Sequence, residues 1–297
     1  MLLIEEQIKA GKITSEVRNE VIKKVSVGMR LLDLCEFVER MIEEKGGEPA
    51  FPCNVCLNHI AAHYTPSIDD ESVIHDGDVV KIDIGVHIKG YIADTAITIS
   101  FNPKFDSMVQ AVNEVLKEVI KVVKAGTRVG ELGRIVEEGA RKRGFKPISN
   151  LSGHSIEPYK IHGGLSIPNV WVPSTSELKA GSIYAIEPFL TTIDGAGLVI
   201  NGNITNIYSL ITRKRTQDKD LDEFINIIWS KWKTLPFTPR YFKDVIKKKS
   251  LDMMLNKLVK LKILRAYPIL VEANGKCVVQ AEHTIMPTDN GVIILTQ

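Results

Sequence analysis

The sequence predicts an α/β protein of the α+β kind, with two pseudo-symmetric halves around a shared cleft. Three observations predict it: amphipathic helices with apolar residues at three- and four-residue spacing, β-rich segments in adjacent pairs, and an internal repeat. Residues 25–49 match residues 123–147 at eight positions with a constant offset of 98. Each copy reads as a helix that ends at a glycine and precedes a β-rich stretch, which indicates two related α/β halves.

The individual elements follow from the period of the apolar residues. Helical spacing predicts helices over 16–25, 31–45, 106–124 and 129–143. Runs rich in valine and isoleucine predict strands over 50–57, 78–88, 91–101, 181–190 and 196–201. Because these strands come in adjacent pairs, the sheet is predicted to be largely antiparallel.

Composition limits the class of protein. The chain has 297 residues, of which 44% are hydrophobic, enough for one large or two smaller domain cores. No stretch approaches the ~20 apolar residues of a membrane span, and glutamate appears from Glu5 onward, so we expect no leader, no membrane anchor and a cytoplasmic location. The C-N-V-C motif has no second close pair to complete a zinc site, so we expect free, buried thiols at Cys35, Cys53, Cys56 and Cys277.

A basic segment interrupts the second half of the chain. Residues 213–265 carry 15 Lys or Arg against 6 Asp or Glu, whereas the remaining chain carries 23 basic and 30 acidic residues. The surrounding region, 203–270, reads as three amphipathic helices followed by a β-hairpin, similar to a winged helix. A segment of this charge could bind nucleic acid, but the sequence shows no set of base-reading residues.

Two acids occupy an otherwise apolar predicted hairpin, residues 81–99. If Lys89-Gly90 form a two-residue turn, Asp83 faces Ala96, and Asp94 then lies on the same face as Asp83. Two carboxylates on a buried face repel each other, so a positive group is expected between them. An arginine or a metal ion would serve, and a buried polar network or a solvent-facing position is the alternative.

Further polar residues favour the metal. His154 and His162 lie in a glycine-bracketed loop, and Glu187 and Glu282 lie in apolar strands. Four carboxylates balance the charge of two divalent cations, and an imidazole adds a neutral ligand. A site rich in oxygen, without thiolate, favours manganese, iron or cobalt at least as much as zinc. Two such ions can activate a hydroxide and polarise a carbonyl, which are the requirements of amide hydrolysis.

These motifs carry a family resemblance. The hairpin D-I-G-V-H-I-K-G-Y-I-A-D-T-A, the histidine pair, I-E-P-F and E-H-T resemble the ligand set of the methionine aminopeptidases. The stretch F-P-C-N-V-C-L-N-H-I-A-A-H-Y-T-P and the long insertion are similar to the type 2, archaeal-type branch. The resemblance covers nearly the whole chain. It implies the pita-bread fold, with residues 1–202 and 271–297 as the catalytic domain and 203–270 as an inserted helical subdomain resembling a winged helix.

The resemblance also implies roles for ten residues. It implies two divalent ions (cobalt, manganese, iron or zinc) held by Asp83, Asp94, His154, Glu187 and Glu282. Glu187 would also exchange the proton of the attacking water. His63 and His162 would bind the scissile amide and the tetrahedral intermediate, and the methionine side chain would contact Phe51, Ile161 and Tyr267. The implied activity is removal of N-terminal methionine from nascent proteins and peptides with a small second residue, by a monomer.

Two alternatives share the fold. X-Pro peptidases share the ligands but usually carry a separate N-terminal domain, whereas Asp83 already supplies the first ligand here. Non-catalytic pita-bread proteins that bind nucleic acid or ribosomes typically lose ligands, and this chain keeps all five. Contact between the basic insertion and the ribosome stays an open expectation.

Overall fold

The computed structural model describes residues 4–297. The expectation that no leader is present rests partly on residues 1–3, which lie outside the described residues. The α-helices in this range are α1 (Glu5–Lys24), α2 (Leu31–Glu44), α3 (Asp106–Val122), α4 (Val129–Lys142), α5 (Lys219–Trp232) and α6 (Lys248–Lys260). The strands are β1 (Glu48–Pro49), β2 (Asn54–Leu57), β3 (Ile60–Ala62), β4 (Val79–Ile88), β5 (Tyr91–Ser100), β6 (Phe145–Pro147), β7 (Ser152–Ile156), β8 (Ser166–Pro168), β9 (Ile183–Ile186), β10 (Phe189–Thr192), β11 (Val199–Leu210), β12 (Leu264–Glu272), β13 (Val278–Gln280), β14 (His283–Thr288) and β15 (Gly291–Ile294).

The strands form small antiparallel sheets. In the first half, β5 runs along β4 over its whole length, and β1 and β2 also pair with β4. In the second half, the strand order is β15-β14-β9-β7-β8. Two three-stranded sheets, β13-β10-β6 and β11-β12-β3, complete the arrangement. Asp83, Asp94 and His154 lie on strands of the two larger sheets.

The internal repeat is visible in the backbone. Helices α2 and α4 begin at Leu31 and Val129, the offset found in the sequence, and each has 14 residues. The glycine that follows each helix has nearly the same positive φ, 79° at Gly46 and 80° at Gly144. Glycine adopts this left-handed conformation without steric cost, which explains why it ends both copies. One apolar core packs around α1 and α2, and a second packs around α3 and α4.

Four elements differ from the sequence prediction. The strand predicted over 50–57 is only β2, Asn54–Leu57, and the strand predicted over 196–201 is the longer β11, Val199–Leu210. Helix α1 begins at Glu5, eleven residues before the predicted start, because Gln7, Ala10 and Gly11 are buried despite a weak apolar pattern. The predicted strand 181–190 is two strands, β9 and β10. Pro188, which lacks a backbone N–H, lies in the break, and the break places Glu187 between the strands.

The basic insertion has an apolar core of its own, formed by residues between Leu210 and Leu264. Strands β11 and β12 flank it and pair with each other, so the predicted limits at 202/203 and 270/271 fall inside this strand pair. The strand after the helices therefore pairs back to the strand before them. Of the three expected helices, the middle one is a short 3-10 helix that starts at Pro239. In residues 4–297, no helix is both long and apolar enough to cross a membrane.

Candidate metal centre

The β4–β5 hairpin has the predicted register. Lys89 and Gly90 form the turn with positive φ angles of 50° and 90°, and Ile88 pairs with Tyr91. Asp83 therefore lies opposite Ala96, and both acids share one face of the hairpin. The two carboxylates thus converge because a two-residue turn fixes the register and a strand alternates its side chains.

Threonines join this hairpin to the second half of the chain. The Thr284 hydroxyl accepts a hydrogen bond from Asp94 N and donates one to Asp94 O, each at 2.7 Å across 190 residues of sequence. The Thr95 hydroxyl donates to Glu282 O at 2.8 Å, and Glu282 N donates to Ala96 O at 3.0 Å. These bonds hold Asp94 of β5 beside Glu282, which directly precedes β14.

His154 of β7 brings its imidazole close to the carboxylates of Asp94 and Glu187. His154 Nε2 lies 3.8 Å from Asp94 Oδ2 and 3.4 Å from Glu187 Oε1. One ligand atom each from Asp94, His154 and Glu282 lie within 4.8 Å of one another, a spacing that suits a common metal ion. Strands from both halves therefore supply donors to one buried point.

The carboxylate oxygens are not satisfied by the protein. Asp83 Oδ1, Asp94 Oδ1 and both Glu282 oxygens are buried without a hydrogen-bond partner among residues 4–297. Buried polar atoms in folded proteins nearly always have a partner, so four orphaned oxygens at one point indicate a ligand that accepts their lone pairs. No Lys or Arg of the described chain forms an ion pair with these acids. The donor set therefore fits divalent cations.

Burial and mutual repulsion control protonation at this site. Burial raises the pKa of Asp83 to about 7. Burial first, and neighbouring carboxylates second, raise the pKa values of Asp94, Glu187 and Glu282 well above their usual range. Burial lowers the pKa of His154 to about 3, which leaves its imidazole neutral and able to bind a metal. Metal binding must therefore displace protons from the carboxyl groups.

Metal-free wild-type protein is expected to lose at least about 1 kcal/mol of stability, relative to metal-free Asp83→Asn, between about pH 5 and about pH 7. In this window the folded state holds protons on carboxyl groups such as Asp83 that the unfolded chain has already released, so folding weakens as pH rises. The buried histidines, with lowered pKa values, act in the opposite direction, because the unfolded chain loses their protons as pH rises. Both proteins carry these histidines, so their effect cancels in the comparison. Urea unfolding of both chelator-treated proteins measures the difference in stability at each pH. A difference that stays constant across this window would contradict the assignment.

All ten residues singled out from the sequence line one cavity of about 230 Å³. They are Phe51, His63, Asp83, Asp94, His154, Ile161, His162, Glu187, Tyr267 and Glu282. A larger cavity of about 660 Å³ lies elsewhere and contains none of them. The acids and the apolar residues thus form a single chamber.

Two histidines flank the acids without joining them. His63 has a positive φ of 66°, and its Nδ1 lies 3.2 Å from Pro268 O. A carbonyl oxygen can only accept, so His63 Nδ1 carries the proton and Nε2 is a free acceptor. Burial lowers the pKa of His63 to about 4 and also lowers that of His162, whose ring centroid is 4.5 Å from that of His154. Both side chains are therefore neutral at pH 7.

The structure adds residues that the sequence analysis missed. Gln280 Nε2 lies 3.4 Å from Glu187 Oε2, and Gln280 precedes Glu282 by two positions, so strand alternation could have identified it. Asn54 and Ile207 also line the cavity. Ile207 lies on β11 and reaches the site only because β11 pairs with the strand that carries Tyr267. No local sequence pattern indicates that contact.

Known proteins share this sequence and fold. The model of metallopeptidase family M24 matches residues 5–207. The methionine aminopeptidase of Methanocaldococcus jannaschii is 44% identical over 293 residues, which cover 99% of this chain and 98% of that protein. The methionine aminopeptidase of Pyrococcus horikoshii is 44% identical over 295 residues, with 99% of each chain covered.

Solved structures show the same architecture. A methionine aminopeptidase from Thermotoga maritima has a TM-score of 0.71 at 23% identity, covering 99% of this chain and 96% of its own. A thermophilic Arx1 has a TM-score of 0.83 at 18% identity, with coverage of 98% and 89%. These likenesses concern the fold alone, and they confirm the predicted pita-bread architecture. Together with the sequence matches, they show that the chain belongs to metallopeptidase family M24 and, within it, to the methionine aminopeptidases.

Proposed function

We propose that this protein removes the N-terminal methionine from nascent proteins and peptides with a small second residue, and that it does so in the cytoplasm. The convergence of four carboxylates, of which Asp94 and Glu282 are fully buried, and a neutral imidazole in one chamber with apolar residues supports the proposal most strongly. The archaeal relatives, at 44% identity over nearly their whole length, support the choice of substrate.

Two divalent ions would neutralise the carboxylates, and the ligands would be Asp83, Asp94, His154, Glu187 and Glu282. When bound, the ions would polarise the scissile carbonyl and lower the pKa of the attacking water. Glu187 lies beside His154 at the edge of this set, where burial raises the pKa of its carboxyl. With its proton displaced by the ions, Glu187 would be a carboxylate that can take the proton of the water and return it to the departing amine.

The two neutral histidines would orient the peptide. His63 Nε2, free because Nδ1 donates to Pro268 O, can accept a hydrogen bond from the scissile N–H. His162, whose ring packs against that of His154, can donate to the carbonyl oxygen as negative charge develops there. Their lowered pKa values keep both roles available at neutral pH.

Phe51, Ile161 and Tyr267 would form the methionine pocket, and Gly85 controls its width. A Cβ at Gly85 would overlap the Phe51 ring. Gly85→Ala is therefore expected to push that ring into the chamber and raise KM for methionyl peptides about 10-fold or more, as overpacking costs about 1–3 kcal/mol. Steady-state kinetics measure this effect. Adding Phe51→Leu should recover part of the loss, and a double variant as impaired as Gly85→Ala would contradict the cause.

Peptide turnover tests the proposed function. Metal-stripped protein receives manganese, cobalt, iron or zinc and is offered Met-Ala-Ser, Leu-Ala-Ser and Ala-Pro. We expect release of methionine alone, and loss of that release in Asp94→Ala. Cleavage of Ala-Pro would favour an X-Pro peptidase instead. Folded protein that cleaves nothing with any metal would favour a non-catalytic binding protein.

We propose further that the protein acts as a monomer and that the insertion, residues 203–270, is a separate subdomain that contacts ribosomal RNA electrostatically. Exposed Lys247, Lys249 and Lys260 contribute to its excess positive charge. Co-sedimentation with ribosomes at low salt, lost at high salt, is the expected result. Absence of co-sedimentation at low salt would overturn the ribosome contact.

A further inference from the structure

Asn54 presents an unused acceptor to the chamber. It begins β2 directly opposite Asp83 of β4, and its side chain is 4% exposed and lines the cavity. Asn54 Nδ2 donates to Pro52 O at 2.9 Å. Because a carbonyl oxygen cannot donate, this contact fixes which end of the amide is nitrogen. The other end, Oδ1, is buried and has no hydrogen-bond partner within residues 4–297.

This orphaned oxygen differs from those of the acids. The unpartnered oxygens of Asp83, Asp94 and Glu282 belong to carboxylates, two of which offer an atom to the group spaced for a metal ion, whereas Asn54 is uncharged and outside that group. A neutral amide oxygen left unpaired in the interior is costly, so it indicates a donor that arrives from elsewhere. The position between Phe51 and Asp83 puts this acceptor where the apolar pocket meets the acids.

The donors of the substrate can be counted. A methionyl peptide offers no donor on its thioether side chain or on its carbonyl group. The scissile N–H faces His63 in the proposed mechanism. The α-ammonium group, with three N–H donors and a positive charge, is the remaining donor of the N-terminal residue. It matches a neutral acceptor placed next to the Asp83 carboxylate.

We propose that Asn54 Oδ1 accepts a hydrogen bond from the α-ammonium group of the substrate and so contributes to the selection of a free N-terminus. The inference rests on the proposed function, because it takes a methionyl peptide as the substrate. It assigns Asn54 a role in substrate binding that is separate from the metal ligands. Nδ2, held by Pro52 O, keeps the amide aimed into the chamber.

Two ligands that differ only in the amine test the role. Methionine and 4-(methylthio)butanoate share the side chain and carboxylate, and the second lacks the amine. Titration calorimetry on metal-loaded protein gives the ratio of their dissociation constants. Asn54→Ala should reduce the preference for methionine about 10-fold or more and leave affinity for 4-(methylthio)butanoate within about 2-fold. Equal weakening of both ligands, or no change in either, would overturn the proposal.

A second variant guards against misfolding. Asn54→Leu keeps nearly the shape of asparagine without its acceptor and should lose the preference for methionine as Asn54→Ala does, and a retained preference would contradict the role. Melting temperature and metal content of both variants show whether the fold and the ligand set survive. Wild-type turnover of Met-Ala-Ser is measured separately. If wild type releases methionine and the preference does not depend on Asn54, the inference fails while the proposed function stands.

Discussion

Asp94→Asn is expected to lower methionine release by at least about 1,000-fold, equivalent to about 4 kcal/mol, while it makes the metal-free protein more stable. The Asp94 carboxylate is buried, and after burial itself the neighbouring Asp83 and Glu187 carboxylates raise its pKa by repulsion, whereas the Glu282 side chain lowers it. An amide in its place carries no charge and adds two N–H donors for the neighbouring oxygens. The same change removes a metal ligand, so activity and stability should move in opposite directions.

Thermal unfolding in the presence of a chelator measures the stability part, for which we expect a gain of about 1–2 kcal/mol. Methionine release after metal add-back measures the activity part. Asp76→Asn is the matched control, since Asp76 is an exposed residue of the loop before β4, and it should change neither quantity. A metal-free Asp94→Asn protein that is less stable than wild type would show that repulsion does not dominate at the site.

Regular local geometry made much of this site predictable. Strand alternation and a two-residue turn fix the relative position of Asp83 and Asp94, and the observed register agrees with that reasoning. The repeat predicted the position of α4 from that of α2, because both copies end at a glycine with positive φ. Glu187 and Glu282 could be identified as candidate ligands because a carboxylate in an apolar segment needs a compensating charge or hydrogen-bond donor.

Contacts between distant segments could not be predicted in this way. The orphaned oxygen of Asn54 follows from a local bond to Pro52 O, but its burial depends on the strands around it. The first half of α1 has a weak apolar pattern, and tertiary packing determines that it is helical. Glu39 and Arg240 lie 201 residues apart, and nothing in either segment indicates their pairing. The charge of the insertion suggested nucleic acid, whereas this cation faces the protein interior.

Arg240→Met is expected to destabilise the protein by about 3–5 kcal/mol, because it leaves the Glu39 carboxylate buried without its charge partner. Glu39 Oε1 accepts hydrogen bonds from Arg240 Nη2, from the Tyr241 hydroxyl at 2.9 Å and from Cys53 N at 3.0 Å. The side chains of Arg240 and Glu39 are only 2% and 11% exposed. Burial raises the pKa of Glu39, and the Arg240 charge opposes that rise.

Loss of the Arg240–Glu39 pair should also weaken substrate binding in the chamber. Cys53, whose N–H binds Glu39, lies between Phe51 and Asn54, which both line the cavity. Release of this segment is expected to raise KM for methionyl peptides more than it lowers kcat, since the metal ligands lie on other strands. Urea unfolding at pH 7 and steady-state kinetics on the same variant give both readings.

The chain offers a matched control for this pair. Lys243 Nζ lies 3.3 Å from Glu36 Oε1, joins the same insertion to the same helix α2, and both side chains are more than 40% exposed. Solvent screens such a pair, so Lys243→Met should cost no more than about 1 kcal/mol. Glu39→Gln combined with Arg240→Met removes both charges and should recover part of the stability lost by Arg240→Met alone. If Arg240→Met costs no more than Lys243→Met, the buried pair does not hold residues 210–264 against α2, and these residues must be anchored by the β11–β12 strands instead.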